Sequence, residues 1–552
     1  MIDTEIRELT EKLVNINSVN GTEGEVKIAE FIEDYLRNLP YYKEHPENII
    51  IQNIPGDALG RKSVIALLFG EKDDNPSTVL LHGHIDTVGI DDYGPLRECA
   101  CFPGKLSEEL KKISLPDDVK ADLLSGNYMF GRGAADMKSG DAVFLVLLRR
   151  LSEHPEELSG NIAASFNPVE ENLHTGMITS LPVFDRLKRE GFKFRAALNN
   201  DFTTALYPGD EEVTLYTGMG GKVLPCFYIR GHETHTGQCF EGFDAAETAA
   251  ALVREFQRNC RYADSALGEM APPPSVLKLK DLKDSYNVQT AKEALCYFNY
   301  YIFDSDMRPV TEKLVTGARK AFAEVVGKGN AENEIYSREN NFPVRDHDFN
   351  VNVLTYAELL DKAKKSTGFD ASELDRILKS ERGKGTDIRE IPVSMIRYLL
   401  AKADITEPVI VLYYAPPYVP HCRLRYGEQF CPSDVKVYNA LNKCAGEIAE
   451  SENVRFRIRH FYPSLSDSSF IMCDDGHESI ETLTENFPGF DMLSPVPVNE
   501  IKRVNILPLN IGVLGKDAHK WTERVNMPYT FGVLPKLEMK LIHELLSITD
   551  EK

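Results

Sequence analysis

The chain has one tryptophan, Trp521, and no run approaching the roughly 18 apolar residues of a membrane span, so no spanning helix is expected. Its ten cysteines contain no Cys-x-x-Cys pair, and Cys99 and Cys101 stand too close together for a zinc hook. Reduced thiols in a cytoplasmic protein are the expectation. Positive charge is scarce: 63 Lys and Arg against 85 Asp and Glu leave a formal net charge of -22. That argues against nucleic acid or an anionic membrane as partner. There is no internal repeat and no low-complexity tract, which excludes a solenoid or a disordered linker protein. The acidic opening Met1-Ile2-Asp3-Thr4-Glu5 begins a helix and does not read as a signal peptide. What remains, 42% hydrophobic and 27% charged residues, is ordinary for a soluble globular protein.

At 552 residues the chain exceeds one compact core, so at least two domains are expected. Residues 1–213 alternate helix signals (6–17, 25–39) with strand signals (near 61–69 and 77–84). This pattern predicts an α/β domain, a mostly parallel sheet with helices on both faces. From about 216 the pattern changes: a strand at 223–229, a helix at 245–258, the break Pro272-Pro273-Pro274, a strand at 296–303 and a helix at 309–326. A helix-rich stretch, 355–405, follows. Residues 214–405 are therefore expected to be an inserted α+β domain. The first domain would resume over 406–552, beginning with a strand at 409–414.

Chemistry concentrates where apolar runs end. Leu80-Leu81-His82-Gly83-His84-Ile85-Asp86 closes a buried strand with a His-x-Asp pair, so His84 and Asp86 share a face. Phe130-Gly131-Arg132-Gly133-Ala134-Ala135-Asp136-Met137-Lys138 places Asp136 just past a glycine turn and ahead of a helix. An N-cap is the bland reading of that acid. Asn167-Pro168-Val169-Glu170-Glu171 ends a third run in adjacent glutamates, which repel unless a cation lies between them. Ala196-Ala197-Leu198-Asn199-Asn200-Asp201 ends a fourth in a carboxylate. Gly515-Lys516-Asp517-Ala518-His519 ends a fifth in a histidine. Each fragment alone is weak. In this order they suit a site assembled where strand ends converge, as in open α/β sheets. His with Asp and Glu is the donor set of Zn²⁺, with Co²⁺ or Mn²⁺ as substitutes. Five ligands sharing one carboxylate would hold two ions, and the spare glutamate would be a general base.

The sequence of motifs His-x-Asp, Gly-Arg-Gly-x-x-Asp-Met-Lys, Glu-Glu, Asp and Ala-His-x-x-x-Glu resembles the co-catalytic zinc metallopeptidases of the aminoacylase, carboxypeptidase G and succinyl-diaminopimelate desuccinylase family. The likeness covers the opening helices, residues 61–245 and 434–530. Length and the segment Tyr413-Tyr414-Ala415-Pro416-Pro417-Tyr418 are most similar to the family's arginine-utilisation, RocB-like branch. The resemblance implies a zinc-exopeptidase-like catalytic domain with an inserted lid that serves for homodimerisation. It implies that His84 and Asp201 bind one metal, Glu171 and His519 the other, and that Asp136 bridges them. Asp86 would orient His84, Glu170 would activate a water, and His235 would stabilise an oxyanion. His232 competes with His235, but the downstream Gly242-Phe243-Asp244-Ala245-Ala246 favours the latter. The implied activity is hydrolysis of an amide bond in an N-acyl amino acid or short peptide, in amino-acid and specifically arginine catabolism.

Substrate recognition departs from the family pattern. Asn287-Val288-Gln289-Thr290 keeps only the first half of its Asn-Val-Ile-Pro motif, and tyrosines, Tyr300 and Tyr301, stand where an Arg is expected. Among other residues, His82 reads as packing and Asp467 as an N-cap or a neighbour of the site. Trp521 is expected to pack near His519, and Glu523 to support a ligand. A catalytically silent metal-binding or interaction protein is the rival reading; a spare base at Glu170 speaks against it. A phosphoesterase or deaminase would need phosphate-gripping or base-stacking residues, and none accompanies the motifs.

Overall fold

The apolar run ending at His84 forms the strand Ser77–His84, buried along its whole length. Burial on both faces explains why it reads as continuous apolar sequence and not as an alternation. The computed structural model describes residues 2–344, 349–425 and 431–549. Two units emerge: Met1–Met219, Cys422–Cys473 and Pro497–Lys552 form one, and Gly220–His421 with Asp474–Val496 the other.

The first unit is built on an eight-stranded sheet. Across it run Ile49–Asn53, Lys62–Phe69, Asn161–Asn167, Ser77–His84, Lys193–Asn199, Pro508–Asn510, Glu212–Tyr216 and Arg455–Arg459. Ser77–His84 is parallel to both its neighbours, with His84 beside Asn167 and His82 beside Asn199. Three adjacent strands therefore end on one edge. Helices flank the sheet. Ser139–Ser152, apolar on nearly all sides, is sandwiched between the sheet and Ile2–Val14. This is the α/β architecture expected from the alternation of helix and strand signals.

The second unit carries a five-stranded sheet in the order Ser275–Asp281, Glu293–Ile302, Gly221–Arg230, Val409–Val419 and Val353–Thr355. All its pairings are antiparallel except the last. The helix Ala245–Phe256 covers one face, where Phe227 stacks on Phe256. Tyr356–Lys364 and Ile391–Lys402 cover the other, so the 355–405 stretch belongs to this unit's core.

The strand at 409–414 was expected to reopen the first domain. It runs on to Val419 and pairs antiparallel with Gly221–Arg230. Its inward side chains, Val409, Val411, Tyr413 and Ala415, pack with Leu224, Cys226 and Tyr228. Alternation identifies a strand but not its partner. Residues 474–496 also join the second unit. No helix among the described residues is long and apolar enough to cross a membrane.

Candidate metal centre

Three parallel strands deliver three of the acidic motifs to one edge. Ser77–His84 ends in His84, with Asp86 two residues on; Asn161–Asn167 leads into Glu170-Glu171; Lys193–Asn199 leads into Asp201. Asp136 arrives through the Gly131–Gly133 turn. Gly133 has φ 79°, and a Cβ there would lie 2.8 Å from Thr87 Cγ2, so the turn needs glycine. His519 is brought in by the loop between the strands Gly515–Lys516 and Arg524–Asn526. The fully buried Arg524 braces that loop by pairing with Asp122, Asp118 and Asp517 at 2.7, 3.0 and 2.5 Å.

His84 Nε2 lies 2.9 Å from Asp136 Oδ1, and His519 Nε2 lies 3.1 Å from both Asp136 Oδ2 and Glu171 Oε1. Donor atoms of His84, Asp136 and Asp201 fall within 4.8 Å of one another, as do those of Asp136, Glu171 and His519. The two groups share Asp136, one oxygen facing each. All five side chains expected as ligands thus converge, and Glu170, 7% exposed, stands beside them.

The electrostatics of this cluster suit divalent cations. Burial, then the charge of Asp136, pushes the Asp201 carboxyl up to about 7. Burial also raises Glu170 and Glu171, with the Glu171 charge adding to the rise at Glu170 and the Asp136 charge to that at Glu171. His519 is lifted to about 10 by its contacts with Asp136 and Glu171. Carboxylates crowded in low dielectric disfavour their charged forms unless positive charge joins them. Imidazole nitrogens and carboxylate oxygens are also the donor set for Zn²⁺ and its congeners, so these residues fit two such ions.

Asp86 faces His84 and a second set of partners. His84 Nδ1 is closer to the Asp86 main-chain carbonyl, at 3.1 Å, than to its carboxylate, at 3.7 Å. The carboxylate also accepts the N–H groups of Glu170 and Glu171 at 3.0 and 3.1 Å, and donation from Asn20 Nδ2 at 2.9 Å. Burial works against its charge, but these bonds and His84 keep its carboxyl below the usual range. Asp86 therefore ties the His84 strand to the glutamate loop.

His235 belongs to the second unit, exposed, its Nδ1 accepting from the Gly237 N–H at 3.0 Å. His232 is exposed on the same loop. Asn287 bonds within its own loop, to Gln289. His82 is packing, as expected: fully buried, bonded through Nε2 to Ser468 Oγ, and lowered to about 3 by burial. Trp521 packs with Tyr93, Phe130 and their neighbours. Glu523 accepts the Ala135 and Asp136 N–H groups and pairs with buried Arg132 at 2.6 Å.

Sequence reading missed Asn20, Glu25, Arg132, His174 and Ser466. Glu25 reads as one polar position in an amphipathic helix, yet it is fully buried and accepts the Val169 N–H at 3.1 Å. The cap of the short helix Asp467–Phe470 is Ser466; Asp467 turns to His174. No local pattern marks such long-range contacts.

The pattern that defines peptidase family M20/M25/M40 matches residues 80–473. Protein RocB of Bacillus subtilis is 36% identical over 98% of this chain and 95% of its own length. The uncharacterized protein YqjN of the same organism is 33% identical over 98% and 96%. Carboxypeptidase G2 from a Pseudomonas species is 29% identical over 44% of this chain and 48% of its own. Among solved structures, aminopeptidase PepT from Bacillus cereus superposes with a TM-score of 0.50 over 98% of each chain, at 12% identity, which shows a shared fold alone. The chain belongs to peptidase family M20/M25/M40 and is a metal-dependent hydrolase.

Proposed function

We propose that this hydrolase uses two divalent ions, zinc with cobalt or manganese as substitutes, to cleave the amide bond of an N-acyl amino acid or short peptide. The observation that carries this is the pair of three-residue donor groups sharing Asp136. His84 and Asp201 would hold one ion, Glu171 and His519 the other, and Asp136 both. The ions supply Lewis acidity toward the scissile carbonyl and acidify water.

The chain's own residues do the rest. Glu170 is the base: it takes a proton from the attacking water and passes it to the leaving amine. Its burial favours the protonated form it must adopt midway. Asp86 fixes the base by accepting the Glu170 and Glu171 N–H groups. His235 donates to the developing oxyanion, a role that typically contributes about 10²–10³ in rate. The likeness to protein RocB along nearly the whole chain, with the arginine-utilisation resemblance, supports a place in amino-acid catabolism. The second unit is the proposed surface for homodimerisation.

The test couples metal analysis of purified protein to a hydrolysis screen of N-acyl amino acids and dipeptides. Glu170→Gln runs beside wild type. Turnover is expected with two ions per chain, and Glu170→Gln should lose about 10²–10⁴ in kcat with its metal retained. No bound metal and no turnover after Zn²⁺, Co²⁺ or Mn²⁺ addition would instead establish the silent binding protein.

A further inference from the structure

Beside Glu170 the proposed chemistry leaves a buried histidine, His174, and a buried aspartate, Asp467, unused. His174 and Asp467 are 3% and 2% exposed and come from distant parts of the chain. They meet with His174 Nδ1 3.1 Å from Asp467 Oδ1, and the same nitrogen stands 3.7 Å from Glu170 Oε1. An imidazole thus sits between two buried carboxylates that would otherwise repel across low dielectric. The Phe470 ring lies against the imidazole, with centroids 4.6 Å apart, and fixes its plane.

The backbone of the same loop is strained at both ends. The loop holding Glu170 and Glu171 begins at Val169, with φ 68°, and ends at His174, with φ 54°. A β-branched residue in that region is strained, and the conformation lasts only where its surroundings impose it. The surroundings can be named. The Val169 N–H donates to Glu25, the Glu170 and Glu171 N–H groups donate to Asp86, and the His174 N–H donates back to the Val169 carbonyl at 2.8 Å. Those bonds hold the loop's backbone. Its end is held in addition through the His174 side chain, which Asp467 grips.

We propose that His174 and Asp467 form a positioning pair for Glu170. Asp467 fixes the imidazole, and the imidazole fixes both the closing residue of the strained loop and the place of the Glu170 carboxylate. Neither residue touches substrate. The inference rests on Glu170 being the base, and it adds to that reading a pair, His174 and Asp467, that is not among the proposed metal ligands.

The test compares His174→Ala, His174→Asn, Asp467→Ala and the double alanine variant with wild type. Asparagine tolerates the left-handed backbone and sets a side-chain N–H near the place of Nδ1. On the substrate found by the screen, His174→Ala and Asp467→Ala are expected to lower kcat roughly 10–100-fold, with KM within about twofold and metal content unchanged. His174→Asn should return to within about fivefold of wild type. The double variant should be no worse than either single one, because both remove one device. Amide exchange across residues 169–174 should accelerate about tenfold or more in the alanine variants but not in His174→Asn. Exchange is read without any hydrolysis, so a wild-type enzyme lacking turnover sinks the functional reading while exchange still decides this one. Wild-type kcat in His174→Ala, asparagine as damaging as alanine, losses that track metal loss, or unchanged exchange would each overturn the pairing.

Discussion

Glu523→Ala should unseat a buried arginine and loosen the Asp136 turn at once. In the native fold Glu523 is fully buried; Oε2 pairs with Arg132 at 2.6 Å, and Oε1 accepts the Ala135 and Asp136 N–H groups at 3.1 and 3.3 Å. Breaking a buried ion pair by deleting one partner costs about 3–5 kcal/mol. Arg132 keeps Asp92 at 2.9 Å and the Gly89 carbonyl at 3.1 Å, which places its share at the lower end, about 3 kcal/mol. Two buried amides losing their acceptor add about 1 kcal/mol or more. The sum, about 4 kcal/mol, would move a urea midpoint by roughly 1.3 M for a slope of about 3 kcal/mol per molar. Glu523→Gln keeps an oxygen for the two amides and loses only the charge, so its shift should be clearly smaller. Because Asp136 would no longer be held, Glu523→Ala should also bind divalent metal about 10–100-fold more weakly. The assay is urea unfolding followed by fluorescence, with metal content after dialysis on the same samples. An alanine variant matching wild type in both would refute the reasoning.

Asp136 faces both donor groups and Asp201 only one, so Asp136→Ala should empty both metal positions and Asp201→Ala one, counted by elemental mass spectrometry. A Cβ at Gly512 would lie 1.8 Å from the Asp201 carbonyl oxygen, so Gly512→Ala must shift that ligand's backbone; loss of metal and a lower melting temperature are expected, and a wild-type melt would refute this. In the second unit, burial lowers the His421 imidazole, but Asp475 at 3.2 Å, backed by Asp474 and Asp304, lifts it to about 9. A raised histidine stabilises fully below its unfolded pKa near 6.5, so on the order of 3 kcal/mol should be lost as pH climbs from about 6.5 through 9. Urea midpoints across that range should fall in wild type and flatten in Asp475→Asn.

The α/β core and the ligand ends of three strands were legible because parallel strands buried on both faces leave unbroken apolar runs, and the charged residue that stops each run is conspicuous. His84, Glu170-Glu171 and Asp201 all carry that signature. Asp136 and His519 lack a strand before them long enough to notice, and only their place in the ordered set of motifs singled them out. Asp86 has a second set of partners that an i, i+2 argument does not reach: besides facing His84, its carboxylate takes N–H groups from a loop 84 residues away. The strand at 409–419 was legible as a strand, yet antiparallel pairing with 221–230 leaves no trace in alternation. Glu25, His174 and Ser466 were invisible for one reason: each is a polar residue whose importance lies in a partner far along the chain.

The way the chain holds its acids bears directly on how the centre works. Asp86 accepts amide hydrogens and remains readily ionised, while Asp201, Glu170 and Glu171 have less compensation and lean toward their protonated forms. A carboxylate whose bonds are already satisfied by the backbone has little to offer a cation, so Asp86 serves as a strut. The under-compensated ones gain most when positive charge arrives, which suits the roles of ligand and base proposed for them. Glu170, with His174 Nδ1 3.7 Å from its Oε1, is the carboxyl whose proposed role as base this arrangement suits.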